Sequence, residues 1–146
     1  MQYLNSHSPD GCQQDPRIRV SFCVSGEFAP EGLTRVVSIT PSGIRRAGED
    51  TPRRLAKVRR TSWCLEQVRY GDTSIEDAVC AMLDKIWRHR AEIVQFSTDW
   101  PVSIDFVVTV RFYEAQPLYS LSPPTMRRIS DLGATFGLDI YDLSEP

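Results

Sequence analysis

The feature that most constrains the fold is a run of alternating apolar and polar residues, 102–113. The even positions, from Val102 to Phe112, are all apolar, while the odd positions are mostly polar or charged. A second run, 17–24, alternates in the same way. Successive side chains of a strand point to opposite faces of its sheet. The pattern therefore predicts a sheet with one buried face and one face turned to water.

A helix is predicted over 75–87, because seven apolar residues recur there with the spacing of one helical face. Ser74 is placed to cap the start of this helix. Pro30 and Pro123 suit the first turns of two further helices. The apolar stripe of the first helix consists of Ile75, Ala78, Val79, Met82, Leu83, Ile86 and Trp87.

The order of elements predicts the fold class. Two more strands, over 61–68 and 138–141, give the order strand, helix, basic connection, strand, helix, strand, helix, strand. A short helical turn over 91–96 and a short returning strand over 116–121 are also expected. We therefore predict a single α+β domain, with a largely antiparallel sheet and helices mainly on one face. Segments 17–69 and 102–143 both read as strand, proline-started helix and returning strand, which suggests two ferredoxin-like half-units.

Composition places the chain among ordinary soluble domains. It has 146 residues, 17 basic and 19 acidic, and 41% of its residues are hydrophobic. We expect a flexible N-terminal tail, 1–16, followed by one domain, 17–146. No apolar stretch reaches the roughly 18 residues of a membrane helix, and the N-terminus lacks the pattern of a signal peptide. These features predict a cytoplasmic bacterial protein without a membrane partner.

The four cysteines, Cys12, Cys23, Cys64 and Cys80, show no metal-ligand spacing. No two of them form a C-x-x-C pair, and neither histidine completes a zinc-type pattern with them. We expect reduced thiols that mostly fill the core, without a disulfide framework. We likewise predict no metal site and no cofactor.

A basic segment, residues 45–60, carries seven cations against two acidic residues. One hypothesis is that it binds anions or nucleic acid through phosphates. The other, which we favour, is a solvated loop that balances an acidic remainder, because the segment has no aromatic residues for base stacking and the whole chain carries a net charge of −2. The candidate anion-binding residues are Arg45, Arg46, Arg53, Arg54, Lys57, Arg59 and Arg60.

The polar positions of the strands form the second candidate site. If the helices cover one side of the sheet, these residues share the other side and are suited to docking a partner protein. The competing interpretation is a solvated face with cross-strand ion pairs, such as Asp105 with Arg19 or Arg111. Besides Cys23, the candidate protein-binding residues are Arg19, Ser21, Asp105, Thr109, Arg111, Asp139 and Tyr141.

Catalytic motifs are missing from the sequence. It contains no G-x-S-x-G, H-E-x-x-H or G-x-G-x-x-G pattern. Trp63 and Trp100 are better interpreted as packing anchors than as the walls of a ligand pocket. We therefore predict no catalytic residue, and an enzyme with a cysteine or carboxylate centre is the third and weakest hypothesis.

Short motifs at both ends of the chain are similar to those of the bacterial domain-of-unknown-function family numbered 4279. They are Val24-Ser25-Gly26-Glu27-Phe28-Ala29-Pro30-Glu31-Gly32-Leu33-Thr34, Ile39-Thr40-Pro41 with Arg46-Ala47-Gly48, Ser62-Trp63, and Asp131-Leu132-Gly133-Ala134 with Leu138-Asp139-Ile140-Tyr141. The resemblance covers roughly 17–143 and implies a compact α+β protein without established catalytic residues. By analogy with immunity or accessory proteins, we expect a non-catalytic protein that binds another protein, with anion or nucleic-acid binding as the alternative.

Overall fold

Five strands and four α-helices make up the part of the chain that the computed structural model describes, residues 16–51, 56–71 and 73–145. In chain order they are β1 (Arg17–Gly26), α1 (Pro30–Val37), β2 (Gly43–Arg45), β3 (Thr61–Tyr70), α2 (Ile75–Ile86), α3 (Arg90–Asp99), β4 (Val102–Phe112), α4 (Pro123–Asp131) and β5 (Ala134–Asp142). A 3₁₀ turn, Trp87–His89, joins α2 to α3.

All five strands belong to one open sheet in the order β2-β3-β1-β4-β5. β1 is antiparallel to both of its neighbours, β3 and β4, and β2 is antiparallel to β3. β5 is parallel to β4. The first four strands and their helices thus follow the β-α-β-β-α-β order of a ferredoxin-like unit, and α4 with β5 adds a fifth strand beside β4. The predicted α+β class and largely antiparallel sheet are confirmed.

The two proposed half-units differ in their pairing. In 17–69, β1 and β2 are separated by β3, whereas in 102–143 the strands β4 and β5 are direct neighbours. The ferredoxin-like order therefore runs from β1 to β4 and is not built from those two segments. The two segments share the order of strand, helix and strand, but this order does not show which strands pair.

The core lies between the helices and one face of the sheet. On β1 the alternation is complete, since Ile18, Val20, Phe22 and Val24 are buried and the residues between them are not. The ring of Phe22 lies 5.2 Å from that of Phe106 on β4, measured between centroids. Each large apolar side chain buried in this way contributes roughly 1.5–3 kcal/mol.

The predicted stripe of α2 faces this core. Six of its seven residues are buried. Trp87, the seventh, is only partly buried, and the guanidinium Cζ atoms of Arg128 and Arg90 lie 4.6 and 5.2 Å from its ring centroid. The Ser74 hydroxyl accepts a hydrogen bond from the backbone N–H of Asp77 at 3.1 Å, so the predicted cap is confirmed.

Several element boundaries differ from the sequence prediction. α3 has ten residues where only a short helical turn over 91–96 was expected. Residues 116–121 form no strand, although Tyr119 and Leu121 pack against the core. β5 begins four residues before the predicted 138–141, because its pairing with β4 extends to Ala134. Such ends depend on the neighbouring strand rather than on the local pattern.

Gly26 marks the closest approach of two backbone segments. It ends β1 with a φ of +156°, beside the start of β4. A Cβ atom at this position would collide with the carbonyl oxygen of Pro101 and lie 2.8 Å from Cα of Val102. Both obstacles are backbone atoms, which cannot move aside as a flexible side chain can.

We predict that Gly26→Ala lowers the free energy of unfolding by about 2–3 kcal/mol, because the new methyl group forces the two segments apart. Gly43→Ala is the matched control, since a Cβ atom there meets nothing within 4 Å. Urea unfolding followed by circular dichroism measures both variants. Equal midpoints for the two variants would contradict the close contact at Gly26.

Candidate functional site

The sheet face opposite the helices, called the open face below, is the surface on which the predicted protein-binding residues meet. None of its described residues is buried. The pairing registers bring all seven predicted residues together on it, together with Cys23. Their role in binding stays a prediction. The open face consists of Arg17, Arg19, Ser21, Cys23, Ser25, Gly43, Arg45, Ser62, Cys64, Glu66, Val68, Tyr70, Ser103, Asp105, Val107, Thr109, Arg111, Thr135, Gly137, Asp139 and Tyr141.

One end of the open face is basic and aromatic. Tyr70, Arg17, Arg111 and Tyr141 lie side by side on four adjacent strands. The guanidinium Cζ of Arg17 lies 5.9 Å from the ring centroid of Tyr70, and that of Arg111 lies 5.5 Å from the ring centroid of Tyr141. Each arginine is therefore within the range of a cation–π contact with its outer neighbour.

Arg19 adds a third guanidinium in the next row, opposite Thr109. We call Arg17, Arg19 and Arg111 the arginine cluster. Together with Thr109, they line a shallow hollow in the sheet surface. Arg17 and Arg111 are direct cross-strand partners, and like charges in that position destabilise a sheet. Among the described residues, no carboxylate lies within 4.0 Å of any of the three guanidinium groups.

The expected ion pairs of Asp105 with Arg19 or Arg111 do not form. Asp105 lies opposite Cys23, four residues along the strand from the level of Arg19, which is about 13 Å. Its carboxylate instead accepts a hydrogen bond from the hydroxyl of Thr135. The register of the strands, which periodicity does not reveal, separates Asp105 from Arg19. Arg111 lies on β4 itself, six residues from Asp105.

A disulfide joins Cys23 on β1 to Cys64 on β3, with their Cα atoms 4.2 Å apart. The expectation of reduced, core-filling thiols is therefore wrong for this pair, which lies partly exposed on the open face. The two cysteines are 41 residues apart and become direct neighbours only through the β1–β3 register. Cys80 is free and partly buried, and Cys12 lies outside the described residues.

The basic segment uses several of its cations internally. Arg46 forms an ion pair with Glu31, and Lys57 forms one with Asp50. The hydrogen bond from Arg46 lowers the pKa of the Glu31 carboxyl. A guanidinium N–H of Arg60 donates to the carbonyl oxygen of Ser25 at 2.9 Å.

Four cations of this segment remain: Arg45, Arg53, Arg54 and Arg59. Arg45 lies on β2 and Arg59 is exposed, whereas Arg53 and Arg54 fall outside the described residues. Anion binding by this segment stays a prediction.

Glu76 is a polar centre that sequence reasoning missed. Its carboxylate accepts hydrogen bonds from the backbone N–H and the hydroxyl of Ser122, at 2.8 and 2.6 Å, and from the hydroxyl of Thr125. Partial burial raises the pKa of this carboxyl, but the hydrogen bonds outweigh burial and lower it overall. The contact ties α2 to the start of α4. Glu76 and Ser122 are 46 residues apart, so no local pattern could have linked them.

An apolar cleft of about 380 Å³ lies between α4 and β5. Met126, Ile129 and Phe136 line it, and Ser130 supplies its one polar side chain. Trp63 is buried in the core and Trp100 stacks on Phe96, so neither tryptophan belongs to this cleft. Within the residues that the structure describes, no group of three or more potential metal ligands is found, and no helix is long and apolar enough to cross a membrane.

The fold and its surface define a class: an α+β domain with a ferredoxin-like sheet, extended by one strand, whose charged face is left open. Comparison with known protein families matches the domain of unknown function DUF4279 over residues 16–143. The chain therefore belongs to this family, as the sequence motifs indicated. Searches of the curated proteins and of the solved structures found no significant match.

We predict that Glu76→Gln destabilises the protein by about 1–2 kcal/mol near neutral pH, because the hydrogen bonds from Ser122 and Thr125 lose a charged acceptor. The folded state lowers the pKa of Glu76 below its ordinary value of 4.5. Its contribution is therefore complete above that value and is lost as the pH falls through the lowered pKa.

Urea unfolding at a series of pH values measures this effect. The gap between the wild type and Glu76→Gln should begin to narrow below about pH 4.5 and should close as the pH falls through the lowered pKa of Glu76. Glu114→Gln, which changes an exposed carboxylate in the loop after β4, is the control and should show no such gap. A gap for Glu76→Gln that does not depend on pH would contradict the role of its charge.

Proposed function

We propose that this protein is a non-catalytic binding domain that docks a partner protein on its open face, with the arginine cluster contacting carboxylates of that partner. The observation that supports this most directly is the pairing of Arg17 with Arg111. Two like charges lie opposite each other without a described carboxylate within 4.0 Å, and Arg19 adds a third. An acidic side chain of a partner would relieve the repulsion and accept several charge-assisted hydrogen bonds.

The mixed charge of the open face favours a protein over a polyanion. Glu66, Asp105 and Asp139 share the face with the arginines, and Asp139 is next to Thr109. A nucleic acid laid across the sheet would meet these carboxylates, whereas a protein surface can match both signs. Tyrosine and arginine, both present at the basic end, are enriched in protein interfaces.

Anion or nucleic-acid binding through residues 45–60 is the alternative function. The ion pairs of Arg46 and Lys57 with carboxylates of the same chain weaken this alternative, because they reduce the positive charge available to phosphates. Arg45 and Arg59 are the described residues that remain best placed for it. Binding of this kind would depend steeply on salt concentration.

A domain that binds a partner and catalyses no reaction suits an immunity-type or regulatory protein. We propose a role of that kind in a bacterium. We also propose a cytoplasmic location. The Cys23–Cys64 disulfide gives this location a direct test, because the cytosol keeps most thiols reduced.

The docking proposal is tested by affinity capture from the cells that naturally make the protein, using a doubly charge-reversed variant, Arg19→Glu with Arg111→Glu. This variant keeps the sheet stable, because the new carboxylate at position 111 would face Arg17 as an opposite charge. We expect a stoichiometric partner to be retained by the wild type and reduced at least about tenfold by the variant, equivalent to 1.4 kcal/mol.

Arg35→Glu with Arg127→Glu is the matched control. It makes the same change in net charge on exposed helix positions and should retain the partner. Retention by both variants would contradict docking on the open face. Recovery of RNA alone, lost on substitution of Arg45 and Arg59, would support the alternative instead.

We predict that Cys23 and Cys64 are reduced in intact cells, as the proposed cytoplasmic location requires, and that the purified protein forms the disulfide of the structure only on exposure to air. Cys80 serves as the internal reference, because it is not part of the pair. Mass spectrometry of trapped, alkylated peptides measures each thiol. A fully oxidised pair in freshly trapped cells would contradict the cytoplasmic location.

A further inference from the structure

β5 forms one edge of the sheet, and no described strand pairs with its outer side. It has nine residues, Ala134–Asp142, and contains neither proline nor lysine. Unpaired backbone groups along an edge are a template for another strand, and proline, lysine and short length are among the devices that prevent such pairing. β5 lacks these three devices, and its charged residues are Asp139 and Asp142.

The helix-facing side of β5 carries an apolar strip, defined here as Phe136, Leu138 and Ile140. These residues are in register with three buried residues of β4: Phe106, Val108 and Val110. Their side chains nevertheless remain 37, 37 and 47% exposed. The half-exposed Met126 of α4 and the apolar cleft beside Phe136 extend this surface.

We propose that a second copy of this chain covers the strip, through antiparallel pairing of the two β5 strands about a twofold axis at Leu138. In this register Leu138 meets its own copy, and Phe136 meets Ile140 in both directions. All three residues of the strip then have an apolar cross-strand partner. Such pairs stabilise antiparallel strands, and the interface is self-complementary, as a twofold dimer requires.

Charge on the open face disfavours the register that is shifted by one residue towards the C-terminus. With the axis at Leu138, Asp139 lies opposite Gly137, which has no side chain, and Thr135 lies opposite Tyr141. An axis one residue later would place the two Asp139 carboxylates directly opposite each other and Phe136 opposite Asp142. Both changes are unfavourable, because like charges repel and an apolar ring would face a carboxylate. The pairing would join two open faces into one continuous ten-stranded surface.

The oligomeric state of the full chain tests the dimer. We expect sedimentation or light scattering to show a concentration-dependent dimer for the wild type. Leu138→Lys should weaken it at least tenfold, because it places two ammonium groups at the axis. Val94→Lys is the matched control, since Val94 is 38% exposed on α3 and should leave the dimer unchanged. A wild type that stays monomeric at its solubility limit, or equal behaviour of the two variants, would overturn the proposal.

Cross-linking tests the register separately. In a background with Cys12 and Cys80 changed to serine, Leu138→Cys should oxidise to a covalent dimer, because the two positions coincide at the axis. Ile140→Cys should cross-link more slowly, since its copy lies four residues away along the partner strand. Faster cross-linking through Ile140→Cys than through Leu138→Cys would overturn the register. Neither experiment depends on the arginine cluster, so both outcomes are independent of the docking proposal.

Discussion

Burial of one sheet face under helices organises the whole domain. The alternation in β1 and β4 supplies apolar side chains to only one side, and α2 contributes the stripe that covers it. A sheet with a single apolar face gains hydrophobic stabilisation from one layer of helices and leaves its other face in water. The open face is therefore a direct consequence of how the core forms.

Cross-strand register then decides what the open face contains. The same pairing of β1 with β3 and β4 brings Cys23 to Cys64 and Arg17 to Arg111, and it keeps Asp105 away from Arg19. The cysteine contact converts two thiols into a disulfide. The arginine contact places two positive charges side by side. The disulfide and the arginine pair that a partner would meet thus both involve β1, the middle strand of the sheet, which is paired on both sides.

The added strand changes the ferredoxin-like unit in a specific way. Parallel pairing moves the sheet edge from β4 to β5, while α4 leaves the helix-facing side of β5 partly uncovered. Glu76 holds α4 at its first turn, so the position of that helix is set by a contact with α2. The exposed apolar strip and the arginine cluster consequently lie on opposite faces of the sheet and suit different partners.

Periodicity in the sequence was enough to predict which residues are buried on β1, α2 and β4 and to predict the fold class, because it follows from strand and helix geometry. It also identified the polar face, since alternation assigns each residue to one side. The strand order, the pairing of Cys23 with Cys64 and the extent of β5 emerge only from the folded arrangement. These depend on contacts between segments far apart in the chain, such as Cys23 with Cys64 and Glu76 with Ser122, and no local pattern encodes such contacts.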